Sequence, residues 1–165
     1  MDIALEELVQ KSSLHRTSTL TLPAEEVEVR TPRVLVGEDD PDMRRLVAAI
    51  LKTDGYRVVE AGDGAEVLEQ IEATITGPVQ DRLRAVVTDI EMPALTGLDV
   101  LAALRCAKWS TPVILITAFG NADIRAEAEW LGALSVLEKP FRLEALRHAV
   151  GKALAVPHGP CAASS

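Results

Sequence analysis

Aromatic residues are scarce: two Trp, two Phe and one Tyr make up 3% of the 165 residues. The core must therefore be built from Val, Leu, Ile and Ala, and at 48% hydrophobic content the chain has enough of them. Cysteine is nearly missing too. Cys106 and Cys161 stand alone and far apart, a spacing that fits neither a disulfide framework nor a metal site. Cys106 lies in an apolar segment and is expected to be a packed thiol. Basic residues are outnumbered, with 17 Lys and Arg against 25 Asp and Glu and a net charge of −8. A nucleic-acid-binding surface would carry the opposite excess, so direct nucleic-acid binding is not expected. A bound cation or a basic partner suits this balance, as does ordinary solubility. No apolar run approaches the length of a membrane span. The opening "MDIALEELVQK" has acids where a secretion signal would have lysines. A cytoplasmic chain with reduced thiols is the expectation.

What the chain does have is alternation. Residues 1–31 stand apart: "DIALEELVQ" can form a short helix, but the Ser-, Thr- and charge-rich stretch after it has no helical period. A flexible polar extension is expected there, with His15 solvated. From Arg33 onward, short apolar runs of strand type ("RVLVG", "YRVVEA", "AVVTD", "TPVILITA", "ALSVLE") alternate with segments of helical period. The first helical segment places Met43, Leu46, Val47, Ile50 and Leu51 on its apolar face, the second Val67, Leu68 and Ile71, and the last Leu143, Leu146, Val150 and Leu154. "LDVLAALRCAKW" and "NADIRAEAEWLG" supply the other two helices, and "GPVQDRLR" reads as a loop. Five β-branched strands alternating with five helices predict an α/β domain over residues 32–155, with a parallel sheet covered on both faces. The small, polar residues 156–165 are expected to fray.

In such a sheet, sites form outside the carboxyl ends of the strands. Glu38 and Asp39 follow the first strand, Asp89 the third, Thr117 ends the fourth and Lys139 follows the fifth. Singly, an acid after a strand is most often a helix cap and a lysine most often a solvated charge. Together, three carboxylates, a hydroxyl and an ammonium at one edge describe a site. Clustered carboxylates need a cation, and hard oxygen ligands suit Mg²⁺, which shares its shell with phosphate oxygens. A lysine and a hydroxyl complement phosphoryl oxygens. The set reads as a carboxylate that attacks phosphorus while Mg²⁺ and lysine neutralise the transferred group.

The stretches "VLVGEDDPDMRR", "VVTDIEMPALTGLDVL", "VILITAFG" and "LEKPF" resemble the receiver domain of two-component response regulators, over roughly residues 33–154. The resemblance implies a flavodoxin-like (βα)5 three-layer sandwich with strand order 2-1-3-4-5. It makes Asp89 the phosphoacceptor, Asp39 a direct Mg²⁺ ligand, Glu38 an acid acting on the metal mostly through water, and the backbone carbonyl of Glu91 the third protein ligand. It assigns Thr117 and Lys139 to the phosphoryl group, gives small Ala118 as room for it, and implies a cis Lys139–Pro140 bond. Glu91 and Phe119 fall where the family tunes phosphoryl lifetime, and the Phe119 ring is expected to shield the acyl phosphate from water. Met92, Pro93 and Gly97 shape the loop after Asp89, with Gly97 expected to permit a tight turn. The acidic run allows two registers, Glu38-Asp39 or Asp39-Asp40. Matching "MRR" to the family's helix start favours the first and leaves Asp40 before Pro41 as a helix cap.

One departure is plain. The family has Tyr, Phe or His three residues before the lysine, and here Val136 stands there, which cannot act as a rotating aromatic gate. No helix-turn-helix, ATPase or cyclase segment follows Leu154, so a chain complete as it stands would signal by binding a partner, whereas a piece of a longer chain would have its output domain elsewhere. The resemblance implies a non-enzymatic signalling module. A sensor histidine kinase or phosphotransfer protein donates the phosphoryl group, and an unidentified protein target, or a second copy, meets the face of the fourth helix, fifth strand and fifth helix. Two other readings are a receiver that takes no phosphate and only docks, and a phosphohydrolase with Glu91 as general acid two residues after its nucleophile.

Overall fold

The structure, a computed structural model, describes residues 31–157. The expected extension at 1–31 and the tail at 156–165 fall almost entirely outside the described residues. In chain order the elements are β1 (Arg33–Gly37), α1 (Pro41–Thr53), β2 (Arg57–Ala61), α2 (Gly64–Thr76), a 3-10 turn (Val79–Asp81), β3 (Leu83–Asp89), α3 (Gly97–Cys106), β4 (Val113–Thr117), α4 (Ala122–Trp130), β5 (Ser135–Glu138) and α5 (Leu143–Ala155). The five strands form one sheet in the order β2-β1-β3-β4-β5, with every neighbouring pair parallel. This is the expected flavodoxin-like order.

Side chains alternate across a strand, so each buried strand feeds two cores. Leu35, Val86, Val113 and Leu115 point to the side closed by Val67 and Ile71 of α2, Val100, Leu101 and Leu104 of α3, and Ala128 of α4. Val34, Val36, Ala85, Val87, Ile114 and Ile116 point to the side closed by Val47 and Leu51 of α1 and by Leu146, Ala149, Val150 and Ala153 of α5. Both faces are covered, which is why the central strands read as unbroken apolar runs rather than as alternation.

Local chemistry sets the helix starts. Asp40 caps α1 by accepting from the Asp42 and Met43 amides, with Pro41 in the first turn. Asp63 caps α2 and Asn121 caps α4. Thr96 and Asp99 form a reciprocal capping box at α3.

Several expected details differ. Leu46 is 53% exposed, because α1 is buried along Val47, Ala48 and Leu51, one step round the helix. Leu143 is 41% exposed, and Ala149 and Ala153 take its place beside Leu146 and Val150. Cys106 is exposed rather than packed, since it lies two residues past the inward Leu104 and so about 200° round the helix. Helix α3 stops at Cys106 instead of running to Trp109, and Lys108 takes a φ of 57° just beyond it. Part of the expected loop is ordered backbone: Leu83 and Arg84 belong to β3, and Arg33 Nη1 donates to the Asp81 carbonyl at 2.8 Å.

Gly151 sits exposed in the middle of α5, where an added Cβ would meet nothing within 4 Å. Gly151→Ala is expected to raise unfolding stability by about 0.5–1 kcal/mol, because alanine gives up less backbone entropy on folding. Urea unfolding measures it, and a loss of stability would show that this helix surface is not open.

Candidate functional site

The parallel order carries the ends of β1, β3, β4 and β5 to one edge of the sheet, and β1 beside β3 is where the strand order reverses. Strand β1 hands over at Gly37, whose missing Cβ would lie 2.5 Å from the Val67 side chain. Glu38 follows, held by its amide to the Ala61 carbonyl at 3.1 Å. Its side chain is 2% exposed, whereas Asp39 beside it is exposed. Asp89 ends β3 and is also 2% exposed. Carboxylate oxygens of Glu38, Asp39 and Asp89 all lie within 4.8 Å of one another. Asp40 is turned away into its capping bonds.

Lys139 comes from the other side of the sheet. Its amide donates to the Thr117 carbonyl at 2.8 Å, which aligns the end of β5 with the end of β4. Its peptide bond to Pro140 is cis. Its ammonium donates to Glu38 Oε2 at 2.9 Å and to Asp89 Oδ2. Burial works against the lysine charge, but the two carboxylates outweigh it and its pKa is raised. Burial, with help from hydrogen bonding to Glu91, pushes the Asp89 pKa up to about 7 against the opposing pull of Lys139. One ammonium thus serves two buried acids with Asp39 at the rim, and negative charge is left over. A divalent cation bound by hard oxygens fits this donor set, and Glu38, Asp39 and Asp89 are the side chains that can hold it.

The loop after β3 is built tightly. Ile90 donates to the Ile116 carbonyl at 2.8 Å, and Gly97 closes the loop onto the Ile90 carbonyl at 3.1 Å. A Cβ on Gly97 would lie 2.3 Å from the Asp89 carbonyl oxygen, so close approach demands this glycine rather than the turn freedom expected for it. The positive φ of the loop, 66°, falls on Ala94. Thr117 is fully buried and the Phe119 amide donates to its hydroxyl at 3.0 Å, while the Phe119 ring itself is 71% exposed. Val136 is half-buried and packs against the core.

The contacts of two residues, Glu91 and Arg44, were not readable from sequence. The Glu91 amide donates to Asp89 Oδ1 at 2.8 Å, but its side chain reaches across the site: Oε1 accepts from the Thr117 hydroxyl at 2.7 Å and Oε2 from the Ala118 amide at 3.3 Å. Burial alone would raise the Glu91 pKa, yet bonds from Asp89, Thr117 and Ala118 overcome it and hold the carboxylate below its usual range. Arg44 Nη1 donates to the Glu38 carbonyl at 2.6 Å. Spacing shows that Glu91 is two residues from Asp89 but not where its side chain turns. For Arg44 no sequence signal separates this contact from a solvated helix charge.

The family model of the response regulator receiver domain matches residues 34–151. The transcriptional regulatory protein PrrA of Mycobacterium tuberculosis is 38% identical over 137 residues, covering 83% of this chain and 55% of PrrA. The chain thus spans about half the length of that curated relative. Sporulation initiation phosphotransferase F of Bacillus subtilis is 28% identical over 122 residues, 74% of this chain and 93% of the relative. Among solved structures, a response regulator receiver domain protein from Clostridium thermocellum superposes with a TM-score of 0.68 at 27% identity, over 74% of this chain and 94% of the other. Fold, strand order and sequence agree, and the chain belongs to the response regulator receiver family of two-component systems.

Proposed function

We propose that the domain, residues 32–155, accepts a phosphoryl group on Asp89 from the phosphohistidine of a sensor kinase or phosphotransfer protein. The observation that carries this reading is the convergence of Asp89 with Lys139, Thr117, Glu38 and Asp39 at one sheet edge. An Asp89 carboxylate oxygen forms the new O–P bond as the donor's P–N bond breaks, and the imidazole leaves with the electron pair and takes up a proton. Lys139 lies on Asp89 already and neutralises charge on the transferred group, while the Thr117 hydroxyl and Ala118 amide donate to its oxygens. Asp39, Asp89, the Glu91 carbonyl and Glu38 would hold Mg²⁺, which would supply further charge neutralisation. The modified domain then shifts a two-state equilibrium read on the α4–β5–α5 face, where Trp130 is 85% exposed. We place the partner on that face, a target protein or a second copy. Transfer from the catalytic side of a sensor kinase belongs in the cytoplasm, and no described helix is long and apolar enough to cross a membrane. PrrA is a transcriptional regulator by name, and an output of that kind, carried outside residues 32–155, is consistent with this reading.

Incubation with acetyl phosphate and Mg²⁺, followed by intact mass, tests the proposal. The wild type is expected to gain one phosphoryl group, with no gain in EDTA and none in Asp89→Asn. No adduct from acetyl phosphate or from a phosphohistidine donor would leave a docking module instead, and steady turnover of a phosphate ester would make the protein a hydrolase.

A further inference from the structure

Among the described residues, the donors that would receive phosphoryl oxygens are already taken. The Thr117 hydroxyl and the Ala118 amide both donate to the Glu91 carboxylate. A carboxylate offers two oxygens in a plane, and here they occupy two neighbouring donor positions at hydrogen-bond distance. Glu91 is anchored for this by its own amide on Asp89 Oδ1. The Phe119 amide holds the Thr117 hydroxyl oxygen from behind at 3.0 Å, which leaves that hydroxyl's single proton committed to Glu91.

We propose that the Glu91 side chain is a gate: in the unphosphorylated domain its carboxylate stands in for phosphoryl oxygens on Thr117 and Ala118 and must swing out before Asp89 can be modified. The proposal rests on the phosphoacceptor reading given above and adds a specific competitor to it. Phosphoryl oxygens and Glu91 oxygens exclude each other from the same two donors. Acceptance therefore includes the loss of two charge-assisted bonds, one from a hydroxyl and one from an amide, and only the displaced form of Glu91 reacts. On modification the carboxylate is released toward solvent beside the α4 end of the sheet. The same displacement makes Glu91 a marker of state in a chain that has Val136 where an aromatic reporter would stand.

The test compares wild type, Glu91→Ala and Glu91→Gln at saturating Mg²⁺, after the Mg²⁺ affinity of each has been measured by NMR titration. The initial rate of acetyl phosphate acceptance is expected to rise by about ten-fold or more in Glu91→Ala, the order set by two hydrogen bonds to a charged group. Glu91→Gln keeps an oxygen for Thr117 but loses the charge and the acceptor facing the Ala118 amide, so its rise is expected to lie between wild type and Glu91→Ala. Equal acceleration in both variants would assign the effect to general charge repulsion of the anionic donor and overturn the gate. An unchanged or slower Glu91→Ala would overturn it too. A second readout does not depend on phosphorylation. In the metal-free protein the Ala118 amide resonance should move, and its hydrogen exchange should quicken, in Glu91→Ala; no change there would show that the contact does not exist in solution. Failure of the phosphoacceptor reading looks different: neither wild type nor Glu91→Ala would gain mass, whatever the Ala118 amide does, and the gate would fall with it.

Discussion

Lys139→Met in metal-free buffer is expected to destabilise the domain by about 3 kcal/mol at pH 8 and by clearly less at pH 5. Among the described residues, Lys139 is the one ammonium bonded to both Glu38 and Asp89, whose side chains are 2% and 3% exposed. Without it, two carboxylates remain buried side by side with no cation between them, the situation in which a broken buried pair costs most. Methionine keeps the bulk, so the loss is not a cavity. The lysine's own raised pKa keeps it charged throughout this pH range, and its stability contribution would fade only above the ordinary lysine range. The pH dependence comes from Asp89, a carboxylate raised to about 7 in the folded state. Its proton stabilises the fold fully below the ordinary value of 3.8 and that stability is lost as pH rises through about 7. Removing Lys139 raises this pKa further, so the variant loses stability more steeply with pH than the wild type. Urea unfolding at the two pH values, with EDTA, measures it. Added Mg²⁺ should restore part of the loss at pH 8 through binding to the folded state alone. A penalty independent of pH and of Mg²⁺ would mean that Lys139 acts by packing.

Gly97→Ala is expected to cost about 2–4 kcal/mol and to slow phosphoryl acceptance, although alanine is the better residue in a helix. Gly97 is the first residue of α3, capped by Thr96, and its amide closes the loop onto the Ile90 carbonyl. A methyl group there would stand 2.3 Å from the Asp89 carbonyl oxygen and 3.1 Å from the Ile90 Cα. Both contacts are backbone, so no side chain can rotate away to relieve them. The loop or the end of β3 has to move, and that end carries Asp89, the proposed phosphoacceptor. Thermal unfolding should show a midpoint lower by roughly 10 °C, and mass analysis should show slower adduct formation at equal folded fraction. Gly151→Ala, in open space on α5, changes stability the other way and serves as the paired control. Wild-type stability in Gly97→Ala would mean that the loop after Asp89 is slack.

Much of the fold could be read from the residue pattern. Unbroken runs such as Val34–Val36 and Val113–Ile116 are buried on both sides because helices cover both faces. Parallel strands then bring Glu38, Asp39, Asp89, Thr117 and Lys139 to one edge by topology alone. The order 2-1-3-4-5 was not in the periodicity; it came with the family resemblance. What stayed hidden were choices of direction around a helix axis and at loop ends. Leu46 and Leu143 fit the helical period, yet a sheet offers a helix one narrow contact strip, and Ala48, Ala149 and Ala153 occupy it because small residues permit close packing. Cys106 has apolar neighbours in sequence, whereas its angular position on the helix sets its exposure. Glu91 lies on an irregular loop, where no periodicity says which way a side chain turns.

The ion pairs of the site join distant parts of the chain: Glu38 and Lys139 are 101 residues apart, and Asp89 and Lys139 are 50 apart. Closing loops of that length has to be paid in chain entropy before any of these contacts can form. During synthesis, residues 38–89 emerge well before Lys139, so Glu38 and Asp89 exist for a time without the lysine that pairs with them. The complete centre therefore requires the fifth strand, which carries Lys139 at its end, to be docked on the sheet. Under the proposed function, a molecule phosphorylated on Asp89 would be one whose fifth strand has docked, and chains without it would be silent without a separate check.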